Sequence, residues 1–522
     1  VDRRVSFHWQ LGLLVSVAFG AYLHWATSRF SFDAVAYCSL IHYALFGGGV
    51  GVLAHPSHML YSPMGWAVAR SLVSLGIEVD VLALMRLLNA TATAATLWFF
   101  GGVLRRTSGR PGLALAVTAV LGASFVVWYY ATDPEVYPFA LLCLVLALRS
   151  SLASLDADEL WPVIATGVWI GVGVGFHVST ILILPGIAGA LYARGRDRGT
   201  RVVRPALLLL VAGVLSLAPY VAYYWGWQDT DPLQAMGRFL VSEVEDRATH
   251  DDRFRPGVES MAVVRGLVAE PEVDGVVLRL SVAAARLALV VAAVIALVRV
   301  RRLWSTHRWS CVIVSCWLLL SFLLYSWYQA GARKFVGFLL VPLLVLIALA
   351  LSTLPRQRWV TAAVAVWAGV VGVTNLVGVI VPYADPRTNP HLGHTSFIEA
   401  HSADRDLVIF LGYGDSLMQR VYLPFFGHRR GLALADVCRR SPGESARLLE
   451  HRIATARRSG GRVLVWSDVV DDPALVRRFE AWRSLPDGSV DDLIGRYDPV
   501  PLVADGHGRG LWLLTGGAEL GR

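Results

Sequence analysis

Apolar runs of roughly 20 residues recur between positions 11 and 381, and nothing else in the 522-residue sequence restricts the fold as strongly. A helix needs about 20 apolar residues to cross the hydrocarbon core of a bilayer, where each backbone polar group must find its partner inside the segment. The runs cover residues 11–25, 81–104, 112–129, 138–148, 161–176, 179–191, 205–224, 277–298, 309–327, 335–354 and 359–381. An α-helical polytopic membrane protein of about eleven spans is expected. Composition agrees, with 55% apolar and 16% charged residues against about 45–50% and about 25% in soluble domains. A soluble globular enzyme, a disordered chain and a single-anchor protein are excluded. Residues 11–25 precede no clear small-residue cleavage site, so they read as a retained first span. Residues 64–76 are short and interrupted by Arg70, and read as an interfacial or re-entrant helix. The five cysteines are scattered and offer neither a disulfide framework nor a CxxC metal signature.

The charges give an orientation. Lys plus Arg outnumber Asp plus Glu by 47 to 39, but in a membrane protein their location matters more than the excess, and no nucleic-acid partner is implied. With the N-terminus cytoplasmic, Arg105, Arg106 and Arg110, the cluster from Arg194 to Arg204, Arg301, Arg302 and Arg308, and Arg356 and Arg358 all fall inside. The opposite face receives residues 29–63, 131–137, 176–178, 225–275, 328–334 and everything after Pro382. Two domains follow: residues 1–382 in the membrane and a soluble extracytoplasmic α/β domain over 383–522. In the latter, strand-like runs at 406–411, 462–466 and 510–514 alternate with helical stretches near 441–459 and 473–485, a pattern of a partly parallel sheet. Gly412-Tyr413-Gly414 lacks the full phosphate-loop pattern and reads as a tight turn.

The polar residues of the outer face are chemically varied. Asp33 lies just past the first span among Phe30, Phe32 and Tyr37, where partial desolvation suits a proton acceptor; the alternative is a helix N-cap. His55, His58 and Tyr61 crowd a proline-bounded loop rich in donors for an anionic phosphate. Asp133, Pro134, Glu135 and Tyr137 form a short turn after Trp128, Tyr129 and Tyr130, and carboxylates ringed by aromatics suit sugar hydroxyls. Gly171, Gly173 and Gly175 precede His177, a spacing that permits close helix contact or a ligand passage. Tyr328, Arg333 and Lys334 follow an aromatic segment and put two cations on the face where the positive-inside rule disfavours them, suited to a lipid-linked phosphate. The charged segment from Glu243 through Glu245, Asp246, Arg247, His250, Asp251 and Asp252 to Arg253 reads as a lid or a solvated hinge.

In this order and on one face, these residues resemble the multi-span glycosyltransferases of the C superfamily (GT-C fold), which use polyprenyl-phosphate sugars, and most of all the group related to protein O-mannosyltransferases. The resemblance covers roughly residues 6–191, with weaker agreement over 318–354. It implies an inverting transfer of a hexose or pentose from a polyprenyl-phosphate donor to a glycan, lipid or protein acceptor outside the plasma membrane. It makes Asp33 the catalytic base and Glu135, rather than Asp133, the second acidic residue. His55, His58, Tyr61, Arg333 and Lys334 would bind the donor phosphate, and Tyr37, Tyr137, His177 and Tyr328 would line the substrate pocket. A divalent cation, Mg2+ or Mn2+, would fall to Asp33 and Glu135; the sequence departs from the related enzymes in showing a single acidic residue in Phe32-Asp33-Ala34, where they often have two. A secondary transporter or a non-catalytic envelope scaffold are the competing classes, the former expected to carry ionisable groups at mid-membrane.

Overall fold

The first unit of the chain is a helical bundle whose order is α1 (Arg3–His24), α2 (Phe32–Leu45), α3 (Tyr61–Ser74), α4 (Val81–Ser108), α5 (Pro111–Ala123), α6 (Phe125–Thr132), α7 (Tyr137–Asp156), α8 (Trp161–Phe176), α9 (Leu184–Arg194), α10 (Arg198–Trp227), α11 (Pro256–Leu267), α12 (Val276–Val298), α13 (Val300–Trp327), α14 (Val336–Ser352) and α15 (Gln357–Asn375). This is a computed structural model that describes residues 3–55, 57–156, 159–227, 254–439, 441–505 and 509–516. It divides into two compact units, Val1–Ala384 and Asp385–Arg522. Pro56 and the charged segment from Glu243 to Arg253 lie outside the described residues.

Among the described residues, seven helical stretches, built on α4, α7, α10, α12, α13, α14 and α15, have the length and apolar character of a bilayer crossing. The bent pair α5–α6 makes an eighth. The expected count of about eleven is therefore reached only in part. Residues 161–176 and 179–191 form apolar helices that are shorter than a full crossing, and α1 is not among the stretches that meet the measure. Helix α3, with 14 residues, is also too short to cross.

Local chemistry sets the ends and contacts of the helices. Asp80 caps α4 by accepting from the Leu82 and Ala83 N–H groups, and Gly109, at φ +64°, ends it with its N–H on the Arg105 carbonyl. The glycines of α8 serve close packing. A Cβ at Gly171 would meet Leu215 Cβ of α10 at 2.5 Å, and one at Gly175 would meet Leu60 at 2.5 Å.

Between α5 and α6 the chain bends by 59°, because Ser124 adopts an extended conformation at ψ 142°. Such a break frees backbone groups that no water can satisfy inside a bilayer. Buried Asn375 meets one of them and ties it to the end of α11: its Nδ2 donates to the carbonyls of Ala123 at 2.9 Å and of Leu267, at the end of α11, at 2.8 Å, and its Oδ1 accepts from the Ala269 N–H. Replacing Asn375 by Leu strands three backbone groups and is expected to cost about 1–3 kcal/mol or more. A lowered thermal midpoint in detergent checks this, and an unchanged midpoint would refute it.

The second unit holds a five-stranded sheet of order β2-β1-β3-β5-β4, with β1 (Leu407–Phe410), β2 (Arg430–Ala433), β3 (Val463–Trp466), β4 (Pro499–Ala504) and β5 (Gly510–Leu514). Strand β1 pairs parallel with β2 and β3, while β5 runs antiparallel to β3 and β4. The three strands with continuous apolar runs were legible; β2 and β4 have largely exposed residues and were not. Gly412 and Gly414, at φ +68° and +60°, make the tight turn expected after β1.

Candidate active site

Helix α2 begins at Ser31, whose hydroxyl accepts from the Ala34 N–H. Asp33 therefore sits in the first turn of the helix and is not its cap, which leaves its carboxylate free to face outward. Ser31 also ties α2 to the turn after α6. Its N–H is shared between both Asp133 carboxylate oxygens at 3.3 Å, and its Oγ donates to Glu135 Oε1 at 2.7 Å. Lys334, from the loop before α14, brings Nζ to 3.8 Å from Asp33 Oδ2. Asp33, Asp133, Glu135 and Lys334, distant in sequence, thus meet around Ser31.

The four groups differ in access. The Asp33 and Lys334 side chains are 41% and 31% exposed, whereas Asp133 and Glu135 are buried. Burial pushes the Asp133 carboxyl up to about 7 against two hydrogen bonds from Ser31, and pushes Glu135 well above the usual carboxylate range, with Asp33 and Asp133 adding to the shift. Glu135 Oε2 is buried with no hydrogen-bond partner among the described residues. The folded chain holds the Asp133 proton more tightly than the unfolded chain. The stability this provides is complete at acid pH and is lost as pH rises through about 7. The thermal midpoint is expected to fall between about pH 4 and about pH 7, and Asp133→Asn to flatten that slope. A slope identical in the variant would contradict the assignment.

Sequence reasoning missed the residue that shapes the acidic turn. Asn89, fully buried on α4, donates from Nδ2 to the carbonyls of Asp133 and Glu135, each at 2.8 Å, with Tyr130 O at 3.3 Å. Its Oδ1 accepts from the Tyr61 hydroxyl at 3.0 Å. Tyr61 was expected on the donor phosphate. Its ring is fully buried and its hydroxyl is engaged by Asn89, so it belongs to the scaffold of the turn. An amide inside an apolar run is costly unless its bonds are made, and that was the available signal.

The histidines form a stacked ladder. Rings of His55 and His58 lie 5.2 Å apart, as do those of His58 and His177. His58 Nδ1 lies 3.2 Å from the Phe176 carbonyl, so that nitrogen carries the proton. His177 Nδ1 accepts from the Ser179 N–H, and its ring packs 5.4 Å from Tyr137 and from Phe338. Burial lowers the His58 imidazole well below its ordinary range and lowers His177 to about 3. Both rings are neutral near pH 7, and Lys334 and Arg333 are the cations beside the carboxylates. The Arg333 guanidinium lies 5.8 Å over the Phe125 ring. Tyr37 meets Tyr61 and His58 edge-on, at 5.2 and 6.0 Å, and Tyr328 tilts against Phe335 at 5.7 Å. The cation loop turns at Gly331, φ +85°, whose N–H donates to buried Glu259 Oε2 at 2.9 Å.

The site does not fit a divalent cation. Among the described residues no three His, Cys, Asp or Glu side chains converge on a common point. Glu135 Oε1 and both Asp133 oxygens accept from Ser31, and Asp33 faces Lys334.

The bundle, the buried carboxylate turn and the appended α/β unit define a polytopic membrane protein of GT-C-like fold. Two solved structures share it. The structure of ArnT from Cupriavidus metallidurans bound to undecaprenyl phosphate aligns with a TM-score of 0.61 at 13% identity, covering 97% of this chain and 98% of that one. ArnT from the same organism in the apo state aligns with a TM-score of 0.57 at 12% identity and the same coverage. No protein-family model and no curated protein sequence matches the chain.

Proposed function

We propose that the chain is an inverting glycosyltransferase that moves a sugar from a polyprenyl-phosphate carrier to an acceptor hydroxyl on the extracytoplasmic face of the membrane. The observation that carries this reading is the Asp33–Lys334 pair at 3.8 Å, a half-exposed carboxylate and a cation beside a buried carboxyl pair whose proton affinity burial raises. The fold relative bound to undecaprenyl phosphate supports the carrier class.

In this reading Asp33 takes the proton of the acceptor hydroxyl as its oxygen bonds to the anomeric carbon. The bond from that carbon to the phosphate oxygen breaks, and polyprenyl phosphate departs from the opposite face, so configuration inverts. Lys334 and Arg333 offset the charge that develops on the leaving phosphate. Protonated Glu135 directs its unpartnered Oε2 at a hydroxyl of donor or acceptor. Asp133 acts indirectly, holding the Ser31 N–H and with it the first turn of α2 that carries Asp33. The enclosed cavity behind Lys334, bordered by Tyr130 and Tyr137, has a volume of about 30 Å3, enough for a water and too small for a hexose. The sugar therefore lies on the open side of Asp33.

An apolar cavity of about 460 Å3 between α11, α12, α13 and α14 accommodates the isoprenoid chain. Its lining begins at Ser260, next to the Glu259 that anchors the cation loop. Lys334→Ala is expected to weaken donor binding about tenfold or more, as loss of a charge-assisted contact does, with the fold intact. Val264→Trp, which fills the apolar cavity, is expected to raise KM for a long-chain donor while leaving a short-chain analogue unaffected. Transfer of labelled sugar from synthetic donors of two chain lengths tests both. Wild-type donor affinity in Lys334→Ala would remove the phosphate role, and equal effects on both chain lengths would remove the cavity from the account.

A further inference from the structure

Two charged cavities of the membrane unit lie far from the carboxylates. Along α4, Arg105 follows Asn89 by 16 residues, which is about 24 Å of helix and close to the thickness of the hydrocarbon core. A cavity of about 580 Å3 opens there between α1, α4 and α7, with Arg105, Arg106 and Arg149 set among Phe7, Trp98 and Phe99. A second cavity, of about 280 Å3, lies on the other flank of Arg106 and adds Arg194 from the end of α9 and Arg308 from α13, with Asp156, the ion-pair partner of Arg106, also in its lining. Loops that are well separated in sequence thus bring five guanidinium groups to two adjoining hollows.

The guanidinium charge is far from neutralised. Arg106 pairs with Asp156 at 2.6 Å. Arg105, Arg149, Arg194 and Arg308 have no carboxylate partner among the described residues. Arg149 sharpens the point. It lies seven residues before the end of α7, about 10 Å into the span, and it is exposed at the bundle surface with its guanidinium 5.1 Å over the Phe99 ring. A cation left facing lipid at that depth is costly unless an anion reaches it. Cytoplasmic-end snorkelling accounts for Arg110 or Arg194 at helix ends more readily than for an arginine about two turns from the end of α7.

We infer that these two hollows bind the headgroup of an anionic phospholipid with two phosphates, of the diphosphatidylglycerol class, in the leaflet opposite the Asp33 site. One phosphate sits among Arg105, Arg106 and Arg149, the other among Arg106, Arg194 and Arg308, and the acyl chains lie along Phe7, Leu11 and Trp98. Two hollows joined at one arginine match a headgroup of two phosphates joined by a short glycerol bridge. Planar guanidinium forks suit phosphate oxygens, and the aromatic rings beside them exclude water from the contact. The inference does not depend on the reaction proposed above.

The test uses the full chain in a neutral detergent, with thermal midpoints measured while diphosphatidylglycerol, phosphatidylglycerol, phosphatidylcholine or inorganic pyrophosphate is added. Diphosphatidylglycerol is expected to raise the midpoint by several degrees at concentrations where phosphatidylcholine and pyrophosphate have no effect, and phosphatidylglycerol to act more weakly. Arg149→Gln and Arg308→Gln, each removing one phosphate's ligand, are expected to retain the fold and to reduce the response to that of phosphatidylglycerol; the double variant is expected to lose it. Native mass spectrometry of the same samples reads the bound lipid directly, so a poorly folding variant does not leave the question open. Equal shifts with the one- and two-phosphate lipids would overturn the two-phosphate site. A shift with pyrophosphate would reassign it to a soluble anion, and a response unchanged in the double variant would overturn the location.

Discussion

Replacing Asp33 by Asn is expected to reduce sugar transfer at least about 100-fold, the usual worth of a positioned general base, with little change in donor affinity or folding. The expectation follows from access as well as identity. Burial raises the proton affinity of Asp133 and Glu135, whereas Asp33 stands half-open beside Lys334. The substitution keeps the shape of the side chain and the capping of α2, because Ser31 and not Asp33 performs the capping. Loss of turnover with an unchanged thermal midpoint would thus report on proton transfer alone. Transfer near the wild-type rate would remove Asp33 from the chemistry. Glu135→Gln is the informative companion. A glutamine still offers a donor where the protonated carboxyl did, so a milder loss is expected there than for Asp33→Asn.

Substituting Asn89 by Leu is expected to give the largest loss of stability among single changes near the site. The amide satisfies the Asp133 and Glu135 carbonyls and gives the Tyr61 hydroxyl its acceptor, all in the protein interior. Each group left without a partner costs about 1–3 kcal/mol, so a total above about 3 kcal/mol is expected. Its effect on catalysis should accompany the stability loss, because the turn that Asn89 fixes also sets Asp133 against Ser31 and so the first turn of α2. The check is a thermal midpoint together with the pH dependence of transfer. A midpoint within a degree of wild type would show that the turn is held by other contacts.

What the sequence made legible, and what it concealed, divides along a physical line. Hydropathy reports burial in lipid, so the long apolar helices and the alternation of strand and helix after residue 406 could be read directly. The number of crossings could not, because α8 and the segment Val178–Arg194 are apolar without being long, and apolar character alone does not distinguish a helix buried in protein from one that spans. Strand β4 escaped because half-exposed edge strands carry little apolar signal. Asp33, Asp133, Glu135 and Lys334 were visible as polar groups out of place near apolar runs, and the fold gathers them. Their roles inside the gathering were not visible. Whether an aspartate caps a helix or faces outward turns on two residues of register, and here Ser31 takes the cap. Asn89 and Asn375 were overlooked because each is a single amide in an otherwise apolar run, yet each satisfies backbone groups that a bend or a turn has freed. Tyr61 and His177 look like ligand groups in sequence, but their hydrogen bonds are taken up inside the protein.

The central claim is that one lipid-borne phosphosugar is held against the open side of the Asp33–Lys334 pair. The most direct measurement is a structure of the full chain with a non-reactive polyprenyl phosphonate sugar. The account predicts the phosphonate within hydrogen-bond reach of Lys334 Nζ and the anomeric carbon facing Asp33, with Glu135 Oε2 on a sugar or acceptor hydroxyl. A phosphonate bound elsewhere, with the Asp33–Lys334 pair untouched by it, would contradict it.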